Sequence, residues 1–388
     1  MDHNWISFEV DLQRMPPRFW MRLGEARSKC VHLSRVPVPS DYAQRLHEVT
    51  LARGVHATTA IEGNLLSEEE VLAIVERQPS GAEVSYQEQE VQNVLGAYNW
   101  VLAELRAGRR PRFSPELVTD FNRRVLEGLE NLPEHAEPGK YRQASVVVGP
   151  YRAPDWEHCP RLTEQLCEWL NGPQFRGDGD QRIPTAIIGA SLAHLYLAWI
   201  HPFGDGNGRT ARLCEFLVLI TSGVPTSAAH LIANHCNRTR DEYYRQLQYA
   251  SDSGGDVSQF LTYCVEGFVA GLEDQLDELY RRQFELTWKE FVNDQVTGRD
   301  PGMRHRRRLI AESLLFSQPV PKQKISRLTP DLAGAYAKCT PKTLTRDLNE
   351  LVARKLLQLG PEGYQANTAV LMTLLSLVVP PEEAASVR

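Results

Sequence analysis

Apolar residues with helical spacing run through most of this chain. Steps of four, three and four residues separate four large side chains, which places them on one face of a helix over residues 184–200. These side chains are Ile188, Leu192, Leu195 and Trp199. Further helices are predicted over residues 41–57, 67–76, 85–107, 114–127, 159–171, 209–222, 240–250 and 257–290. Little of the chain is left for a sheet, so we expect a mainly α-helical fold.

The clearest β signal is a β-branched run at residues 144–150, Ala-Ser-Val-Val-Val-Gly-Pro. Val146, Val147 and Val148 followed by a Gly-Pro turn are typical of one arm of a short hairpin. Its role from this pattern alone is open, because small hairpins also serve only to stabilise a fold.

The length of 388 residues predicts two or three domains. A turn-rich break at residues 297–302 follows a long helical stretch and precedes a basic run, which indicates a domain boundary. We therefore expect a helical N-terminal region over 1–113, and a core with its following helices over 114–296. A helix-turn-helix with a wing is predicted over 303–366, followed by a C-terminal tail over 367–388.

Charge and cysteine content narrow the class of protein. The net charge of -6 excludes a global basic footprint for nucleic acid. The seven cysteines are scattered without a Cys-x-x-Cys pair, which favours a reduced, cytoplasmic protein. The N-terminus lacks a basic start and an apolar stretch, and the longest apolar run, near 370–379, is about half of the ~20 residues that span a membrane. We expect neither export nor a membrane partner.

Residues 201–212 carry the strongest chemical signal: His-Pro-Phe-Gly-Asp-Gly-Asn-Gly-Arg-Thr-Ala-Arg. Gly206 and Gly208 allow backbone amides to approach an anion, and a helix starting near Arg209 presents its positive end to the same place. Arg209 and Arg212 lie three residues apart on one helix face, where both guanidinium groups reach phosphate oxygens. This loop is suited to a diphosphate or triphosphate.

Two side chains in the same loop add chemistry to the phosphate cradle. Asp205 is the carboxylate expected to hold Mg²⁺ together with substrate phosphates. His201 is neutral near pH 7 when unperturbed, so it is a candidate general base. A structural turn with surface ion pairs is the simpler alternative, and a metal hydrolase using His194, His201 and Asp205 is another. No His-Glu-x-x-His or Cys-His framework supports zinc.

The twelve residues resemble the signature of the Fic family, His-x-Phe-x-(Asp/Glu)-Gly-Asn-Gly-Arg-x-x-Arg, at every fixed position. The resemblance extends to residues 139–142 before the hairpin and to residues 237–244 after the signature, and covers about residues 40–270. It implies a Fic-type helical core with a hairpin flap. It also implies transfer of AMP from ATP to a Ser, Thr or Tyr hydroxyl of a protein, including the enzyme itself.

The resemblance also implies a role for each matching residue. His201 is then the general base, and Asp205 holds Mg²⁺ against the α- and β-phosphates. The hairpin at Val146, Val147 and Val148 then holds the target segment as an added strand. The implied ATP-binding residues are Phe203, Gly206, Asn207, Gly208, Arg209, Arg212, Tyr243 and Tyr244.

A second stretch, residues 58–64, resembles the inhibitory motif of the same family, in which Ser or Thr precedes Glu by four residues. Thr58 and Glu62 match it, and Gly63 and Asn64 are expected to end the helix in a left-handed cap. In autoinhibited relatives this glutamate pairs with the second signature arginine, here Arg212. In some relatives it instead orients a water that removes AMP, and a capped surface helix with a solvated Glu62 is the alternative without function.

The C-terminal region predicts a winged helix-turn-helix with its recognition helix over 340–354 and its wing turn over 360–363. Residues 304–365 offer DNA phosphates a basic surface, so a DNA-binding regulator that senses nucleotide is a second function hypothesis. Asp347 and Glu350 lie on the same helix, and such domains also dock proteins or form homodimers. The basic residues are Arg304, Arg306, Arg307, Arg308, Lys342, Arg346, Arg354 and Lys355.

Overall fold

A computed structural model describes residue 3, residues 5–77 and residues 84–371 of the chain. The described residues are mainly helical, as expected, and form two compact units, Met1–Leu276 and Asp277–Arg388. Most of the tail predicted over 367–388, and most of the apolar run near 370–379, lie outside the described residues.

The first unit is built from α-helices with one small hairpin. Its helices are α1 Pro17–Arg35, α2 Ser40–Ala60, α3 Glu68–Glu76, α4 Tyr86–Arg106, α5 Pro115–Leu126, α6 Cys159–Leu170, α7 Arg182–Ile200, α8 Asn207–Thr221, α9 Leu231–Arg238, α10 Arg240–Asp252 and the beginning of α11 Ser258–Gln295. Strands β1 Val147–Val148 and β2 Tyr151–Arg152 pair antiparallel. The unit therefore follows the predicted helix order, with α1 and α9 in addition.

Helix α7 lies at the centre of the first unit. Every residue over 186–197 is buried, so the helix contacts protein on all sides rather than through the single face that the spacing predicted. The stretch Gly179–Ile200 is long and apolar enough to cross a membrane by length and composition, but 78% of its most apolar window is buried inside the protein. Helix α7 packs most extensively against α8, which places the ends of both helices side by side.

Helix α2 extends beyond its predicted end at residue 57 to Ala60, because its last turn is buried although it carries two threonines. Thr59 donates its hydroxyl to the Val55 carbonyl within the helix, which satisfies the polar group. Gly63 has the expected left-handed φ of 100°. Glu62 itself lies in the turn after the helix, and Asn64 is not left-handed.

The hairpin is shorter than predicted. Val147 and Val148 pair with Arg152 and Tyr151, whereas Val146 lies outside the strand and contributes only its carbonyl to the Ala153 amide. The strand therefore begins one residue later than predicted, although the hydrogen bond between the Ala153 amide and the Val146 carbonyl continues the hairpin.

The second unit contains the end of α11, then α12 Pro301–Ser313, α13 Lys322–Ile325, α14 Pro330–Tyr336, α15 Pro341–Ala353, β3 Leu357–Gly360 and β4 Gly363–Ala366. Strands β3 and β4 form an antiparallel hairpin, and Val320 adds an isolated bridge to Tyr364. The division between units falls inside α11, between Leu276 and Asp277, upstream of the break at residues 297–302.

Several of the basic residues predicted to face DNA make contacts inside the second unit. The buried carboxylate of Asp347 accepts hydrogen bonds from Arg306 and Arg307. Arg354 pairs with Glu350 at 2.7 Å. Lys342 and Arg346 remain exposed on α15. Fewer basic side chains are therefore exposed on residues 304–365 than the sequence suggested. DNA binding through these residues stays a prediction.

Candidate active site

The signature loop joins the end of α7 to the start of α8. His201 ends α7 in the left-handed conformation, with φ 47° and ψ 58°. Gly206 caps α8 with φ 74°, a conformation that suits glycine. Helix α8 begins at Asn207, earlier than predicted, so its free amide groups face the loop directly. The loop thus brings a histidine and a helix N-terminus together.

Buried side chains fix the shape of this loop. The Asn207 side chain accepts a hydrogen bond from the Phe203 amide and donates one to the Phe203 carbonyl, both at 2.9 Å. The Asn122 amide donates to the Asp205 carbonyl at 2.9 Å, and its oxygen accepts from Gly139. The Asn207 side chain, predicted to cradle phosphate, is therefore engaged in the loop backbone.

The Phe203 ring is buried and stacks on Tyr141, with centroids 5.7 Å apart. It does not line the cavity beside the loop. Phe203 therefore anchors the loop as expected, whereas contact between Phe203 and ATP stays a prediction. The ring packs inward because an apolar surface of this size is more stable when buried.

The hairpin is attached to the end of α7. Buried Arg142 donates from Nε to the His201 carbonyl at 2.8 Å and from Nη1 to the Ala144 carbonyl at 2.7 Å. The Tyr151 hydroxyl donates to the Trp199 carbonyl at 2.8 Å. Arg142 lies before the hairpin and Tyr151 lies within it. Their side chains thus satisfy carbonyls at the C-terminal end of α7, where helical partners are missing.

The surroundings of His201 keep its imidazole neutral. Burial lowers the pKa of His201 to about 4, and the nearby Arg142 charge acts in the same direction. Glu62 and Asp205 oppose this shift without reversing it. The imidazole is consequently neutral at physiological pH and able to accept a proton.

Glu62 reaches the start of α8. Its Oε1 atom accepts a hydrogen bond from Nη2 of Arg212 at 2.5 Å, and the same nitrogen donates to the Thr58 carbonyl at 2.9 Å. A Cβ placed on Gly208 would lie only 2.0 Å from this oxygen, so the carboxylate lies directly against the glycine. Burial acts to raise the pKa of Glu62, but the charge and hydrogen bond of Arg212, together with the Arg209 charge, lower it overall. Glu62 therefore covers the surface where an anion would bind.

Arg212 is buried and only partly satisfied. Its Nε and Nη1 atoms have no hydrogen-bond partner among the described residues. Buried charged donors are normally paired, so these two nitrogens are available to an anion that enters the loop. This observation fits a phosphate-bearing ligand.

Arg209 makes a different set of contacts. Its guanidinium pairs with Glu90 at 2.5 Å and with Asp205 at 3.2 Å. The Asn64 amide donates to the second oxygen of Glu90 at 2.7 Å. Asn64 and Glu90 thus connect the turn after α2 to Arg209, a contact that the sequence did not predict. Nothing in the helical pattern around Glu90 distinguishes it from a surface glutamate.

The Glu90 contact leads to a prediction about stability. Arg209 and Glu90 have side chains only 4% and 6% exposed, so Glu90→Gln leaves a buried cation with less compensation. We expect the free energy of unfolding to fall by about 2 kcal/mol in urea titrations at pH 7. Asp274→Asn, which removes an exposed partner of Arg238, is the control and should cost about 0.5 kcal/mol or less. Equal losses in both variants would contradict the buried-pair interpretation.

A cavity of about 450 Å³ opens beside the loop, with His201, Glu62 and Gly208 in its wall. Tyr243 and Tyr244 also line it, as their predicted role requires. The Tyr244 hydroxyl donates to the Ile61 carbonyl at 3.3 Å, next to Glu62. The volume lies in the range of small-molecule sites.

Buried His194 supports Tyr243. Its two ring nitrogens lie 2.7 Å from Glu215 and 2.9 Å from the Tyr243 hydroxyl. Because both nitrogens are engaged, His194 is unsuited to bind a metal. The described residues also contain no group of three or more His, Cys, Asp or Glu able to hold one. The metal-hydrolase alternative therefore has no support in the described part of the chain.

Asp205 is suited to bind Mg²⁺ as a single carboxylate ligand. Its side chain is 30% exposed, and one oxygen accepts a hydrogen bond from the Gly206 amide. Mg²⁺ in proteins is commonly held by one or two carboxylates, with phosphates and waters completing the shell. One accessible carboxylate beside a phosphate site fits that chemistry.

Comparison with known proteins agrees with this geometry. The Fic/DOC family model matches residues 112–219. Protein adenylyltransferase fic-1 of Caenorhabditis briggsae is 27% identical over 291 residues, which are 75% of this chain and 51% of that protein. The chain thus spans about half the length of this curated relative.

Two solved structures share the fold. Fic-1 of Caenorhabditis elegans superposes with a TM-score of 0.56 and 25% identity over 68% of this chain and 73% of that one. A Fic family protein of Desulfovibrio desulfuricans gives a TM-score of 0.57 and 18% identity, covering 91% and 96% of the two chains. Residues 112–219 therefore match a Fic/DOC domain, and the two solved structures share the fold of the chain around it.

Proposed function

We propose that this chain is a protein adenylyltransferase that moves AMP from ATP to a hydroxyl group of a protein. The observation that carries the proposal is a neutral His201 and the first residues of α8 in the wall of one cavity, next to an incompletely satisfied Arg212 that pairs with the cavity-lining Glu62. The name of the adenylyltransferase relative supports the same activity. The test is transfer of label from the α-phosphate of ATP to protein, with variants described below.

In the proposed reaction a Ser, Thr or Tyr hydroxyl attacks the α-phosphorus of ATP. The new bond joins the hydroxyl oxygen to phosphorus, the bond to the bridging oxygen breaks, and pyrophosphate leaves. His201 accepts the hydroxyl proton as the bond forms. Positioning and neutralisation of charge supply most of the catalysis in such transfers.

The other residues of the loop bind the nucleotide in this proposal. The α8 amides and Arg212 bind the phosphates, and Tyr243 and Tyr244 line the space for the nucleoside. Asp205 holds Mg²⁺, which when bound neutralises charge on the phosphates. Arg209 must first give up part of its contact with Asp205 before it reaches a phosphate.

The hairpin is the proposed binding site for the target segment. Val147 and Val148 are 63% and 43% exposed, unusual for valine, and Val148 also lines the cavity. An extended segment added to the edge of this hairpin gains backbone hydrogen bonds that do not depend on its sequence. The identity of the target is left to experiment.

Glu62 is the proposed inhibitor of this reaction. Its carboxylate neutralises Arg212 and occupies the space over Gly208, so the γ-phosphate of ATP has to compete with it. ATP then binds without its productive geometry. Removal of AMP from a modified protein, with Glu62 orienting water, is the alternative direction for the same site.

The low pKa of His201 predicts a flat pH profile. The base is active when deprotonated, so its contribution is complete above about pH 5 and is lost as pH falls through 4. We expect kcat/KM for AMP transfer by Glu62→Gly to vary less than about twofold between pH 5.5 and 7.5. A fall to half of the maximum near pH 6.5, the value for an unperturbed histidine, would contradict this environment for His201.

The second unit is proposed to be a winged helix-turn-helix, with α15 as its recognition helix and β3 and β4 as its wing. The order of helices and the small sheet support this proposal. Binding of DNA, docking of a protein and formation of a homodimer all stay predictions. A cytoplasmic location also stays a prediction.

A further inference from the structure

A second cavity, of about 390 Å³, has a strongly basic lining. Three arginines and a histidine face it, together with leucine and isoleucine side chains. These basic residues are His47 on α2, Arg106 at the end of α4, Arg110 in the following loop and Arg182 at the start of α7.

No carboxylate lines this cavity among the described residues. The nearest acid in sequence, Glu48, accepts a hydrogen bond from Gln44 and pairs with Arg45 instead. Arg182 donates to the Thr221 carbonyl at 3.4 Å. Burial and the neighbouring Arg106 charge lower the pKa of His47, and the Glu48 charge only partly opposes them. The cavity therefore presents three arginine charges with no carboxylate among its lining residues, and an entering anion would neutralise them.

The cavity is separate from the nucleotide site. Helices α7 and α8 each run from the signature loop to this cavity, and α8 alone is about 22 Å long at ~1.5 Å per residue. Helices α2 and α4 also run from the signature loop to this cavity. Glu62 and Glu90, which contact the signature arginines, lie towards the ends of these helices that are distant from the cavity. The cavity therefore lies at the opposite end of the four helices that meet at the active site.

We propose that this cavity binds a phosphate-bearing anion. Arginine forks match phosphate oxygens closely, and the partly apolar wall and the volume suit a ligand larger than a single ion. A bound anion would neutralise the converging charges and hold the four helix ends together. The proposal concerns anion binding only, so it does not depend on whether the chain catalyses the proposed transfer of AMP.

Calorimetric titration of the full chain with pyrophosphate, inorganic phosphate and AMP, fitted with separate affinities for this cavity and for the nucleotide site, tests this proposal. The double variant Arg106→Gln/Arg110→Gln changes two exposed arginines and is expected to retain its thermal unfolding temperature. It should bind the preferred anion at least tenfold more weakly than the unmodified chain. Arg212→Gln, at the nucleotide site, should leave this affinity unchanged.

The matched control is Arg112→Gln/Arg161→Gln, which removes the same charge from exposed positions outside the cavity wall. Retained affinity in this control supports a specific site. Tighter binding of AMP than of pyrophosphate would identify a nucleotide as the ligand, and the reverse order would identify a free phosphate compound. Unchanged anion affinity in the Arg106/Arg110 variant would overturn the proposal. An equal loss of affinity in the control variant or in Arg212→Gln would also overturn it.

Discussion

Replacement of Glu62 by glycine should raise AMP transfer about a hundredfold, equivalent to ~2.7 kcal/mol of restored transition-state binding. The change removes the carboxylate that pairs with Arg212 at 2.5 Å and lies against Gly208. Arg212 then lacks its carboxylate partner, and its Nε and Nη1 atoms and the amides of α8 are available to the incoming phosphates. The rate is measured as label from the α-phosphate of ATP retained in protein.

The matched control for this variant is Glu130→Gly, which removes an exposed glutamate from a loop. It should leave transfer within twofold of the unmodified chain. An equally slow Glu62→Gly enzyme with normal ATP binding would exclude autoinhibition by this contact. Release of AMP from a modified protein by the unmodified chain, lost in Glu62→Gly, would favour the reverse direction.

Replacement of His201 should have the second largest effect. In the Glu62→Gly background, His201→Asn is expected to reduce transfer about a thousandfold, because the proton acceptor is lost. Asparagine is chosen because it tolerates the left-handed conformation that residue 201 adopts at φ 47°. The loop should therefore keep its shape, and ATP binding should change little.

His158→Asn, at an exposed position before α6, is the matched control and should transfer AMP at the rate of the Glu62→Gly parent. Calorimetric ATP affinity separates chemistry from binding in all three proteins. Residual transfer by His201→Asn within tenfold of the parent would show that another group accepts the proton.

The sequence predicted the parts of the site that local chemistry controls. The signature loop joins two helices as its glycines suggested, and Glu62 contacts Arg212 as the resemblance implied. Helical spacing located most helices of the first unit, because apolar periodicity reports the buried face directly. It could not show that α7 is buried on every side.

The residues missed by sequence analysis act through long-range contacts. Glu90 meets Arg209 from 119 residues away, and Asn122 meets Asp205 from 83 residues away. The sequence places Arg142 only in the segment before the hairpin, and it does not predict the hydrogen bond from Arg142 to the His201 carbonyl. Such partners have no local pattern, since any buried polar group found at that place in the fold would serve. Asn207 shows the converse, because a motif position predicted to bind phosphate uses its side chain to hold the loop.

The most direct test of the account compares two positions of label in ATP. Glu62→Gly, incubated with a heat-treated cell extract as the source of acceptors, should transfer label from the α-phosphate to protein and none from the γ-phosphate beyond what the extract incorporates alone. The same protein carrying His201→Asn should transfer neither, while still binding ATP. Transfer of the γ-label, or equal α-labelling with and without His201, would contradict the proposed adenylyltransferase.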